Sequence, residues 1–179
     1  MHIRLNRTTA PAVEPVTVDQ AKEQCRVRHS SADTRLERLI ASAREQVEAR
    51  TRRALITQDW QQTQCPGAHC SIPLQRWPVQ EVLSVHVDGV LLDPSAYRVN
   101  LGDEASVVAK SGSWPGEEVV VQFRAGYGAE PSAVPASLCD WMLVHVADAY
   151  ANPNAVVIGT ISGRMGFVDD LLNPFVVPR

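Results

Sequence analysis

No stretch of this 179-residue chain is apolar for long enough to span a bilayer, and the N-terminal MHIRLNRTTAPAVEP lacks the apolar core of a signal peptide. The expectation is a chain that works in a cytoplasm, or in something assembled there, with no membrane partner. A basic surplus is missing too. The formal net charge of −3 argues against a general nucleic-acid coat, because phosphate binding needs positive charge on at least one face. Catalytic signatures are equally scarce: there is no Walker-type loop, GxSxG, HExxH or paired CxxC. His2, His29, His69, His86 and His145 are scattered, and only His145, inside an apolar helical pattern, is expected to be buried. The adjacent carboxylates Asp169-Asp170 and Glu117-Glu118 point apart in a strand or turn, which suits solvated surface rather than acid/base work. No catalytic residue, metal or cofactor is predicted.

Four cysteines are present. Cys65 and Cys70, with His69, form CPGAHC, whose residue types fit zinc or a hairpin disulfide. The spacing is loose and no second ligand pair follows, so a plain turn between strands is the expected structure. Cys25 and Cys139 fall on helical faces where a small apolar side chain packs well.

What the chain does have is a composition near the globular average, 45% hydrophobic and 21% charged, which excludes wholesale disorder. From Ser30 to Trp60 one stretch organises the rest. Leu36, Leu39, Ile40, Ala43, Val47 and Ala54 recur at steps of three, four and seven, the signature of a long amphipathic helix. Ser30, Ser31 and Asp33 are its candidate caps, Arg50, Arg52 and Arg53 crowd its end, and Glu48 and Arg52 stand at i,i+4. A short helix precedes it, opened by Thr17 and Gln20 at capping-box spacing and closed by Arg26 and His29. Residues 1–15 read as an extended lead-in strand or arm.

From Ile56 to Gly128 the period changes to two. Strands are predicted over 56–64, 69–74, 81–88, 96–101, 105–109 and 118–124, separated by turn dipeptides such as Asp88-Gly89 and Pro115-Gly116. Leu83, Val85 and Val87 alternate with Val82, Ser84 and His86, as do Val119, Val121 and Phe123 with Val120, Gln122 and Arg124. The pattern predicts an antiparallel meander curled into a small sandwich or open barrel. Ala125-Gly126-Tyr127-Gly128 is glycine-rich but is not followed directly by a helix, so a phosphate cradle is not expected.

A helix from Pro135 to Ala151 is apolar over most of its circumference, with Asp140 and Asp148 marking its wet side. The remainder lacks a consistent period, yet it is too apolar for a solvated tail. It reads as an arm that docks on another chain by strand addition or pocketed anchors, or else as a cover for its own sheet. Candidate protein-binding residues are Phe167, Leu171, Leu172, Phe175, Val176 and Val177, together with Arg50, Arg52 and Arg53. The arginines suit helix-end and inter-subunit pairing, with contact to DNA phosphate as the other reading. The fold class is α+β: a helical frame (16–55 and 135–152) carrying an inserted β subdomain (56–128), a single domain over 1–152, and an extended arm over 153–179.

The order of these features resembles the head-tail connector (adaptor, or head completion) proteins of long-tailed bacteriophages and related prophage or gene-transfer particles. Ala21-Lys22, Cys25-Arg26-Val27, Ala43-Arg44-Glu45, Val47-Glu48, Thr51 and Arg53-Ala54-Leu55 leading to Gln58-Asp59-Trp60 carry the likeness. It continues through Leu74, Arg76, Trp77-Pro78-Val79, Val87-Asp88-Gly89, Tyr97, Trp114-Pro115, Val119, Val121, Phe123, the AGYG run, Pro135 and Leu171-Leu172-x-Pro174. The resemblance implies a non-enzymatic subunit of a ring, typically dodecameric, in the virion neck and assembled in the bacterial host cytoplasm. Such a ring binds the portal, extends the DNA channel without sequence-specific contact to the passing DNA, and receives the next neck, stopper or tail-completion protein. Mild negative charge suits a channel that must not grip DNA. The competing classes are a small nucleic-acid-binding module of a phage or prophage and a small hydrolase or metal enzyme.

Overall fold

The computed structural model describes residues 3–67, 69–102, 105–152 and 166–177. The chain divides into two units, Met1–Ala12 with Ile56–Ala129, and Val13–Leu55 with Glu130–Arg179.

The second unit is helical: α1 (Val18–Cys25), α2 (Asp33–Thr51), α3 (Ala136–Ala151) and the short α4 (Gly166–Asp170). The Thr17 side chain accepts from the backbone of Gln20 and the Gln20 side chain caps Thr17 in return, so the predicted capping box starts α1. Arg26, in the left-handed region at φ 57°, ends it. The start of α2 differs from the prediction. A 3₁₀ turn, Ser30–Ala32, runs straight into the helix, and the Asp33 N–H is taken by the Ser30 carbonyl. Ser31 and Asp33 are thereby freed from capping; Ser31 bonds His29 and Asp33 pairs with Lys22 at 2.6 Å. The apolar stripe of α2 is buried at Leu36, Ile40, Ala43 and Val47, packed against α1 and α3.

A charged cluster lies inside this packing. Arg44, 5% exposed, donates to Glu14 at 2.8 Å and to Glu48 at 3.2 Å, and the other Glu48 oxygen accepts from the Leu55 N–H at 3.0 Å. Burial works against the Arg44 charge. The Glu14 hydrogen bond and the charges of Glu14, Glu48 and Glu45 outweigh it and hold its pKa above the ordinary value. Glu14, thirty residues upstream, and Leu55, just beyond the helix end, are thus both tied to one turn of α2. The pairing predicted for Glu48 looked forward to Arg52; the structure pairs it one turn back, with Arg44, while Arg52 has left the helix at φ 60°.

The first unit holds two antiparallel sheets, ordered β1-β2-β8-β4-β5 and β3-β7-β6. The strands are β1 (Ile3–Thr9), β2 (Gln58–Gln64), β3 (Ser71–Pro73), β4 (Val79–Val87), β5 (Val90–Leu91), β6 (Tyr97–Asn100), β7 (Ser106–Ala109) and β8 (Val119–Ala125). The α+β class and antiparallel pairing agree with the sequence, and the lead-in segment is β1. A simple meander does not. The most apolar strand, β8, with Val119, Val121, Phe123 and Ala125 fully buried, takes the centre between β2 and β4, while polar β1 takes an edge. Leu83, which simple alternation groups with the buried Val85 and Val87, is 44% exposed. The register shifts between Val82 and Ser84, and that bulge turns Leu83 outward.

On β2 the inward positions alternate as predicted, but three of them are glutamines. Gln62, fully buried, donates to Gln64 and to the Pro73 carbonyl and accepts from the Gln75 N–H at 2.9 Å. Its side chain thereby ties β2 to the chain as it leaves β3. Gln62→Leu, similar in volume, strands the Gln75 N–H and is expected to lower unfolding stability by about 1–3 kcal/mol in urea titrations.

Candidate protein-binding site

The C-terminal stretch was the main candidate, and its described part, 166–177, lies on helices of its own unit. Residues 153–165, including the apolar Val156, Val157, Ile158 and Ile161, are outside the described residues. After α4, Asn173–Phe175 forms a 3₁₀ turn with Pro174 in its first positions, and the Asn173 side chain donates to Asp170. Val168 and Leu172 are buried.

Asp169 is the pin. One carboxylate oxygen accepts from Arg50 at 2.7 Å and from the Trp141 indole N–H at 3.2 Å, and the Arg50 guanidinium lies 5.1 Å from the centre of the Trp141 ring. The Arg50–Asp169 pair is largely exposed, so its worth alone is small. Two further bonds fasten the end: Arg53 donates to the Phe175 carbonyl at 2.8 Å, and the Val177 N–H to the Thr51 carbonyl at 3.3 Å. Two of the three candidate arginines, Arg50 and Arg53, and the candidate apolar stretch therefore come together within one chain. Leu172 is committed to that packing, whereas Leu171 and Phe175 are half-buried and Val176 is 46% exposed. Arg52 is half-buried and has no ion-pair partner among the described residues. The side chain of Phe167 is outside the described set.

Nothing in the local sequence pattern marks Trp141 and Asp169 as partners. The one available signal was a tryptophan on the most apolar helix facing a conspicuous acidic pair. Trp141 also stacks on His145, ring centres 4.7 Å apart. His145 is half-buried rather than buried, and its pKa is lowered by burial first and then by the Arg50 charge, with Asp148 and Asp169 opposing. The folded state therefore binds this proton less readily than the unfolded chain. The His145 contribution to stability is complete above the unfolded value of about 6.5 and is lost as pH falls from there through the folded pKa. His145→Gln is expected to lose less stability than the parent between pH 7.5 and pH 5, measured by denaturant midpoints.

The other motifs resolve as structure. Gly126, at φ 146°, lies where the end of β8 meets residues 56–57, and Gly128 accepts from the Thr57 N–H at 2.9 Å. The glycine-rich run serves chain crossing. Cys65 and Cys70 are free, and the Pro66 carbonyl accepts from the His69 N–H. Among the described residues no group of three metal-ligating side chains converges, and no helix is long and apolar enough to cross a membrane.

Comparison with known proteins bears on this arrangement. Residues 15–83 match the family model described as phage gp6-like head-tail connector protein. No match was found among curated proteins. Among solved structures, the chain is similar to one in the neck of an empty GTA particle computed with C6 symmetry, with TM-score 0.81 and 21% identity over 98% of this chain and 96% of that one. A chain of the virion of the native gene transfer agent (GTA) particle gives TM-score 0.77 and 22% identity over the same shares. One in the neck of the native GTA particle, computed with C12 symmetry, gives TM-score 0.75 and 20% identity, again over 98% and 96%. In family pattern over residues 15–83, and in fold over almost its whole length, this chain is thus similar to head-tail connector and neck proteins.

Proposed function

We propose that this chain is a structural subunit of a virion neck, a ring of identical copies that joins the portal of a DNA-filled head to the next neck or tail protein and continues the DNA channel. The observation that carries this reading is the connector-family match over residues 15–83. The fold likeness to chains from particle necks computed with sixfold and twelvefold symmetry supports a ring. The net charge of −3 fits passage of DNA without adhesion. A structural role, rather than catalysis, is part of the same reading, and the connector-family match supports it.

In this reading residues 153–179 are the docking arm, and its contact face is the outward side of the C-terminal stretch: Leu171, Phe175 and Val176. Val168 and Leu172 anchor that face to the subunit. Val176→Asp leaves the anchors in place and is expected to fold as the parent does while reducing the yield of joined particles about tenfold. Normal particle yield from this variant, and from a deletion beginning at Phe167, would remove the arm from the account. For the function itself, deleting the gene in a particle-producing strain should leave filled heads and free tails that do not join. Joined, infectious or transducing particles in its absence contradict the proposal, and salt-sensitive binding of bare DNA by the purified chain would favour a nucleic-acid module instead.

A further inference from the structure

The five-stranded sheet has two unlike edges. At one edge runs β1, Ile3–Thr9, whose outward backbone groups have no strand beside them among the described residues. It carries Arg4 and Arg7, both exposed, and Arg4 has no ion-pair partner among the described residues. At the other edge is the two-residue β5, where Val90 is 70% and Leu91 64% exposed. Two adjacent large apolar residues this open on a sheet edge need a reason, because such edges invite association.

The hairpin turn that leads into β5 is acidic. The turn into β5 is clamped by Asp88, whose carboxylate accepts from the N–H groups of Glu117 and Glu118. That clamp uses the backbone of the two glutamates and leaves their carboxylates in solvent, unpaired among the described residues. One edge of the sheet therefore carries arginines, and the other is apolar with an acidic turn at its end. The two edges lie on opposite sides of the same sheet, so a contact between them is head-to-tail. Repeated, it closes into a ring or continues as a filament.

We infer that the β5 edge of one copy docks against the β1 edge of a second copy, with Arg4 and Arg7 facing Glu117 and Glu118 and with Val90 and Leu91 covered by the neighbour. This rests on the ring reading above and names the surface that would build it. Like charges brought together at such a contact repel strongly, which allows a test by charge exchange. Variant one, Arg4→Glu with Arg7→Glu, has two acidic edges. Variant two, Glu117→Lys with Glu118→Lys, has two basic edges.

The full-length proteins are checked by circular dichroism for parent-like folding and then weighed by mass photometry at a concentration where the parent forms rings. If the parent is monomeric alone, the same variants are read as joined particles in a producing strain lacking its own copy. Each variant alone should lose rings or joined particles about tenfold or more, and an equimolar mixture should recover them, since every contact is then complementary. The inference is overturned if either variant alone assembles like the parent, if the mixture does no better than its components, or if rings persist while particle joining fails, which assigns the edge to a different partner. Normal rings from single variants leave the neck reading standing; a parent that forms rings neither alone nor in particles contradicts that reading instead.

Discussion

Glu48→Ala should lower unfolding stability by about 3–5 kcal/mol, the range for removing one member of a buried ion pair. The side chain is buried, and its two oxygens do different work. One faces the Arg44 guanidinium at 3.2 Å, the other accepts the Leu55 N–H at 3.0 Å beyond the end of α2. Truncation leaves Arg44 buried with less compensating charge, although Glu14 still bonds it, and leaves the Leu55 amide unsatisfied. Glu48→Gln keeps an acceptor for Leu55 and removes only the charge, so its loss should be smaller. Chemical denaturation of the parent and both variants separates the two parts. Equal losses would mean that the amide bond contributes little.

The second large effect is expected at Gly126. A Cβ there would lie 2.6 Å from the Thr57 nitrogen and 2.7 Å from the Ile56 carbonyl carbon and oxygen. These are backbone atoms and cannot swing aside as a side-chain end can. The φ of 146° adds strain that only glycine avoids. Strain and overpacking each contribute about 1–3 kcal/mol, so Gly126→Ala should lose about 2–6 kcal/mol or fail to accumulate as folded protein. Gly89→Ala is the control. Its φ of 81° is also unfavourable, but nothing lies within 4 Å of its added carbon, so only the strain should register.

The helices were legible because their signals are local. Thr17 and Gln20 lie three residues apart and form the box their spacing predicts, and the buried stripe from Leu36 to Val47 repeats within a few turns. Alternation likewise located β8 and β2. Pairing between remote strands leaves no such trace, so the insertion of β8 between β2 and β4 could not be read from periodicity, and one bulge separates Leu83 from the Val85 and Val87 with which alternation groups it. The Glu14–Arg44 contact and the pinning of Asp169 by Arg50 and Trp141 join positions far apart in the chain. The apolar excess of the tail was visible in composition. Which of its side chains serve the subunit itself depends on a helix face built elsewhere.

The most direct test of the neck-ring account is cryo-electron microscopy of particles from the producing strain, with the head-tail junction reconstructed and side-chain density traced. The account predicts a closed ring of this chain at that junction, copies related by one rotation axis along the DNA path. A junction filled by other chains, with this one absent from the particle, would contradict it.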